Sequence, residues 1–145
     1  MSVKTISKNV LVLHSTQQMF ELVDTVENYP QFLPWCSCAD VLKREDNVLE
    51  AVLHMDYMKV KQSFGTRNHN TPPTEIRMDL LTGPFKQLSG TWRFTSLGDL
   101  GCKVDFHLQY EFAGSLLSAL IAPVFNRIAE SLVDAFIQEA DRRYG

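Results

Sequence analysis

The residues best equipped for chemistry in this chain are its three cysteines and four histidines, and their spacing gives no reactive motif. Cys36 and Cys38 form a Cys-x-Cys pair, half of a zinc site, but no second pair completes it and Cys102 stands alone. Reduced structural thiols are therefore expected. A Gly-x-Ser-x-Gly elbow, a phosphate loop and a His-x-x-x-His spacing are all missing from the sequence. An acid–base pair has to converge inside a pocket to act. Instead His54, Asp56, Glu75, Asp79, Asp105 and His107 take outward parity on their strands, and His69 sits beside a turn. We expect no catalytic residue and no metal ligand, and read the chain as something other than an enzyme.

Two further sets of residues could bind without reacting. Lys61, Arg67, Arg77, Arg93 and Lys103 share outward parity and would make a basic stripe fit for RNA, diluted by Glu75, Asp79, Asp105 and Glu111. Facing the other way are Met55, Phe64, Met78, Trp92, Phe94, Phe106 and Tyr110. Leu117, Ile121 and Phe125 join them from a helix, and Phe32 and Trp35 from a turn. Such polarizable, shape-tolerant side chains either fill a core or line a pocket for a hydrophobic small molecule, and periodicity alone is blind to the difference.

These residues need elements to hold them. With 145 residues, 45% of them hydrophobic, the chain can bury the core of a single domain spanning 1–145. No apolar run reaches about 18 residues and no export signal opens the chain, so we expect no transmembrane segment and a cytoplasmic protein. A net charge of −3 argues against bulk attraction to nucleic acid, and DNA is not an expected partner.

Thr5 to Leu13 reads as a first strand. Ser15 with Gln18 then forms a capping box for a short helix whose apolar face is Met19, Phe20, Leu22 and Val23. Asn28 to Trp35 carries two prolines four apart and four large apolar side chains, which predicts a single turn acting as a core plug or a lid. From Asp40 to Phe112 the pattern has period two, as in Leu88, Gly90, Trp92, Phe94 and again in Cys102, Val104, Phe106, Leu108, Tyr110, Phe112. Turn signals at Glu45-Asp46-Asn47, Thr71-Pro72-Pro73, Thr82-Gly83-Pro84 and Leu97 to Gly101 predict an antiparallel meander. Ser115 to Arg143 is one long helix with a stripe of Leu117, Leu120, Ile121, Val124, Phe125, Ile128, Leu132, Phe136 and Ala140. Pro123 removes a helical donor, predicting a kink near Ala122 that, with Phe32 and Trp35, would gate an interior site.

An apolar sheet face followed by one apolar helix stripe calls for α+β architecture, a curved antiparallel sheet of about seven strands around the terminal helix, with two short helices after the first strand. Tyr29-Pro-Gln-Phe-Leu-Pro, Phe64-Gly-Thr-Arg-Asn, Gly83-Pro-Phe-Lys, Gly90-x-Trp-x-Phe94, Phe106-x-Leu-x-Tyr-Glu-Phe112 and Pro123-Val-Phe carry a closer likeness. Together they resemble the coenzyme Q-binding START-like family of the polyketide cyclase and lipid transport superfamily, and within it the bacterial ribosome-association toxins. The resemblance implies a helix-grip fold and a ubiquinone or polyisoprenoid ligand, with no cofactor and a link to respiration. As an alternative it implies a ribosome-association toxin that contacts the large ribosomal subunit and blocks subunit joining. A cyclase-like enzyme is the remaining alternative.

Overall fold

The first strand pairs with the last. In the computed structural model, which describes residues 3–145 except for the side chain of Leu117, β1 (Lys4–Val12) lies antiparallel to β7 (Cys102–Phe112), with Ile6 opposite Leu108 and Val12 opposite Cys102. From β1 the chain passes through α1 (Thr16–Asp24), a 3₁₀ turn (Val26–Asn28) and α2 (Tyr29–Phe32) to the opposite edge of the sheet. There β2 (Cys36–Glu45) begins an antiparallel meander of β3 (Val48–Tyr57), β4 (Val60–Thr71), β5 (Glu75–Thr82), β6 (Phe85–Ser96) and β7. The sheet order is therefore β1-β7-β6-β5-β4-β3-β2, and α3 (Ser115–Tyr144) covers its apolar face. Bulges in the pairings of β2, β4 and β6 help to curve it.

Local chemistry explains the short elements. The Ser15 hydroxyl accepts the Gln18 N–H while the Gln18 side chain accepts the Ser15 N–H, so the expected capping box is formed, and Met19, Phe20, Leu22 and Val23 are all buried. Pro30 occupies the start of α2, where a missing N–H costs nothing, and the helix ends after one turn. At Gly101 (φ +121) an added Cβ would lie 2.0 Å from the Val12 carbonyl, so only glycine lets β7 start against the end of β1. The β3–β4 turn has no glycine signal at all: Met58 and Lys59 both adopt positive φ.

Inward parity holds along β6 and β7, where Leu88, Trp92, Phe94, Val104, Phe106, Leu108, Tyr110 and Phe112 are buried. Three expectations change. Glu111, assigned to the wet face, is buried and accepts a hydrogen bond from Gln87 at 3.1 Å. Leu120 is 62% exposed, because it lies about 100° around the helix from Ile121, outside the arc that Ile121, Phe125, Ile128 and Phe136 define. Asn126, which lies outside the apolar stripe read from the sequence, is half-buried and accepts the hydroxyl hydrogen of Tyr110. α3 passes exposed Pro123 without a break in its helical run.

Phe136, 1% exposed, sits at the junction of these parts. Its ring meets Trp92 of the sheet at 5.2 Å and Tyr29 and Phe32 of α2 at 5.3 Å each, all edge-on. Phe136→Ala should lower stability by about 3–5 kcal/mol, whereas Leu120→Ala should change it by less than about 0.5 kcal/mol. Urea unfolding of the two variants measures both.

Candidate functional site

Between α3 and the middle of the sheet the core leaves a cavity of about 90 Å³. Its wall is almost wholly apolar: Ala51, Leu53, Phe64, Met78, Leu88, Trp92, Phe106 and Leu108 from the sheet, Phe125, Ile128, Ala129, Leu132 and Phe136 from α3, and Val26, Tyr29 and Trp35 from the α1–β2 crossing. Six of the residues picked out for a pocket therefore meet there: Trp35, Phe64, Met78, Trp92, Phe106 and Phe125.

The others do different work. Met55, Phe94, Tyr110 and Ile121 are buried but lie away from the cavity. Phe94 packs edge-on against Phe20 of α1, closing one end of the core. Tyr110 joins Phe64, Phe85, Phe112 and Phe125 in an aromatic cluster, in which the Tyr110 and Phe125 rings approach to 4.7 Å. Burial, with the Glu130 charge adding, holds the Tyr110 hydroxyl protonated well above the ordinary tyrosine range. Phe32 is half-buried and faces outward, and the Leu117 side chain lies outside the described residues.

Two polar residues break the apolar wall, Thr66 and Asn68. The Thr66 hydroxyl donates to Asn68 Oδ1 at 2.8 Å, and Asn68 is 7% exposed. Among the described residues no protein group accepts from the Asn68 amide N–H groups. Parity was the signal that could have found them: Thr66 and Asn68 continue inward from Phe64.

A second, open depression of about 580 Å³ lies outside, between the turn Phe32 to Trp35 with Tyr57 and the α3 residues Arg127, Ser131, Asp134, Gln138, Glu139 and Arg142. Trp35 and Ile128 line both spaces and so form the wall between them. Trp35 lies nearly parallel to Phe64 at 6.5 Å. Of the residues expected at a gate, Phe32 and Trp35 line the groove and Trp35 also lines the cavity, whereas Pro123 lines neither space.

At the groove's far end Glu139 is buried and receives hydrogen bonds from Arg142 (2.5 and 2.8 Å) and from Arg143. Arg143 also lies over the Phe32 ring at 5.9 Å. The hydrogen bond from Arg142, helped by Arg143 and opposed by desolvation, holds the Glu139 carboxyl down at about 2.

All five outward cations do face solvent on the convex side, but three are matched: Arg67 with Glu50 at 2.7 Å, Arg93 with Glu75 at 2.9 Å, and Lys103 with Asp105 at 3.8 Å. Among the described residues Lys61 and Arg77 have no ion-pair partner.

Residues 12–137 match the family model described as polyketide cyclase / dehydrase and lipid transport. Over 140 residues the chain is 39% identical to the ribosome association toxin RatA of Pseudomonas aeruginosa, covering 97% of each chain. It is 31% identical over 144 residues to the mitochondrial coenzyme Q-binding protein COQ10 homolog B of Xenopus laevis, covering 96% of this chain and 59% of that one. Among solved structures, the ZhuI aromatase/cyclase of Streptomyces sp. R1128 superposes with a TM-score of 0.84 over 99% of this chain and 97% of that one, at 18% identity, a likeness of fold alone.

Because the folded Glu139 carboxyl titrates near 2 and an unfolded one near 4.3, its stabilisation is present at neutral pH and is lost as the pH falls through that window. Glu139→Gln should therefore unfold more easily than the parent at pH 7 and converge on it towards pH 2, as followed by thermal melts across that range.

Proposed function

Because the chain belongs to the polyketide cyclase / dehydrase and lipid transport family, we propose that it binds a hydrophobic ligand carrying a carbonyl oxygen, a quinone or related polyisoprenoid, and does no chemistry on it. The unmatched amide of Asn68 inside an apolar cavity carries this reading. A ligand oxygen accepting from that amide would add a hydrogen bond worth about 0.5–1.5 kcal/mol. Ubiquinone is such a ligand and would tie the chain to respiration.

Size sets how it enters. A cavity of about 90 Å³ is smaller than the roughly 150 Å³ that admits benzene, and far below the roughly 300 Å³ at which ordinary ligand pockets start. Trp35, which stands between the cavity and the outer groove, must swing away for a ring to enter. Burying about 400 Å² of isoprenoid at roughly 25 cal/mol per Å² offers some 10 kcal/mol before association costs, enough for micromolar binding.

A second reading rests on the likeness to the ribosome association toxin, which would place the chain in the cytoplasm on the large ribosomal subunit. The cations free to meet RNA phosphates are not the paired ones. Besides Arg77 on β5, they include a group at the β3–β4 turn, where Lys59 and Lys61 follow exposed Met58, and Arg127 of α3 reaches the Met58 sulfur at 3.9 Å.

Titration with a short-chain ubiquinone should quench tryptophan emission, because Trp35 and Trp92 both line the cavity, and should raise the melting temperature. Asn68→Leu should weaken binding by about tenfold. No quench and no shift in the parent protein up to the solubility limit would remove the ligand reading. For the ribosome reading, the triple variant Lys59→Glu, Lys61→Glu, Arg127→Glu should lose cosedimentation with large subunits, while Arg67→Glu with Arg93→Glu should retain it. Each lost phosphate contact should also flatten the salt dependence by roughly 0.7–0.9 in log affinity per log salt.

A further inference from the structure

We propose that Cys38, Asp40 and His54 form a zinc-binding site on the convex face of the sheet, at its β2 edge. Their donor atoms all lie within 4.8 Å of one another. Linear spacing conceals the cluster, since residues 36 and 38 of a regular strand face the same way. A bulge between Cys36 and Cys38 changes that. Cys36 pairs with buried Met55 and points into the core, whereas Cys38 pairs with His54 and is exposed. Asp40 then returns to the same outer face as Cys38.

The distances fit a tetrahedral ion with little movement. Zinc bonds of about 2.3 Å to sulfur and about 2.0–2.1 Å to nitrogen and oxygen separate neighbouring donors by roughly 3.3–3.7 Å. Cys38 Sγ is 3.7 Å from Asp40 Oδ1, His54 Nε2 is 2.8 Å from Asp40 Oδ2, and Sγ and Nε2 lie within 4.8 Å of each other, so the imidazole–carboxylate pair has to open by about half an ångström and the thiol–imidazole pair to close by no more than about 1.5 Å. The metal would replace the proton that now bridges those two groups.

Behind the imidazole, Ser63 of β4 stands directly opposite His54 with its Oγ 2.6 Å from Nδ1. A hydroxyl can accept as well as donate. With the proton on Nδ1, His54 donates to Ser63 and presents the Nε2 lone pair to the metal, so the binding tautomer keeps its hydrogen bond to Ser63 and gives up only the one to Asp40. Thiolate, imidazole and carboxylate together favour zinc over magnesium or calcium. Three protein donors leave the fourth position to water or an added ligand, and all three side chains are exposed or half-exposed, so a hydrated ion can reach them.

The test uses the full chain, reduced, with Zn²⁺ and Co²⁺ as probes. One equivalent of Co²⁺ should give thiolate-to-cobalt charge-transfer absorption that one equivalent of Zn²⁺ displaces, and Zn²⁺ should raise the melting temperature. Cys38→Ser should abolish the band, and His54→Ala should weaken zinc binding at least tenfold. Ser63→Ala, which acts through His54, should keep the band but weaken zinc binding by about tenfold. Cys36→Ser should leave both signals as in the parent. No stoichiometric uptake by the parent protein, or a band that survives Cys38→Ser, would overturn the assignment.

Discussion

One helix about 10 Å across has to cover the apolar face of seven strands set about 4.8 Å apart. A flat sheet of that width would leave most of its inner face wet, so the sheet curves around α3 and the remaining gap is closed by the α1–β2 crossing. Phe136 is where the three parts meet, with its ring against Trp92, Tyr29 and Phe32 at 5.2–5.3 Å. Ion pairs and hydrogen bonds tie the periphery to this arrangement. Arg44 of the β2 edge reaches Asp24 at the end of α1 and Glu27 of the 3₁₀ turn, and Lys8 of β1 donates to the Glu130 carbonyl of α3.

The cavity follows from the same geometry, because the middle of a concave sheet is the place a straight helix reaches least well. Aromatic side chains fill the ends, with Phe94 and Phe20 at one and the Phe85, Tyr110, Phe112 and Phe125 cluster at the other. What remains is small, apolar and walled off from the outer groove by Trp35. A site of this kind admits a molecule larger than the cavity only if a wall side chain such as Trp35 repacks. The polar pair at its wall, Thr66 and Asn68, is joined by a hydrogen bond from the Thr66 hydroxyl to Asn68 Oδ1.

The convex face is organised by cross-strand pairing. Arg67 lies between Glu50 and Asp79, and Arg93 between Glu75 and Asp105, so most of the face is electrostatically self-satisfied. Two regions depart from that rule. The β3–β4 turn carries unpaired cations beside exposed Met58, and the β2 edge gathers a thiol, a carboxylate and an imidazole.

Sequence by itself determined the elements and the direction of most side chains. Period two along Leu88 to Phe94 and Cys102 to Phe112, the Ser15–Gln18 box and the long stripe through Ile121, Phe125, Ile128 and Phe136 are local consequences of backbone geometry, and the chain states them directly. Tertiary structure decided what local periodicity does not encode. Whether Phe94 and Tyr110 line a void or fill a core depends on where α3 and α1 sit on the sheet, and whether Arg67 is a free charge depends on Glu50, seventeen residues away, standing opposite it. Cys38 and His54 came together because a bulge resets parity at one residue, an event set by pairing with β3 and not by the composition of β2. Parity is a property of one strand, whereas voids, ion pairs and donor clusters belong to several strands at once.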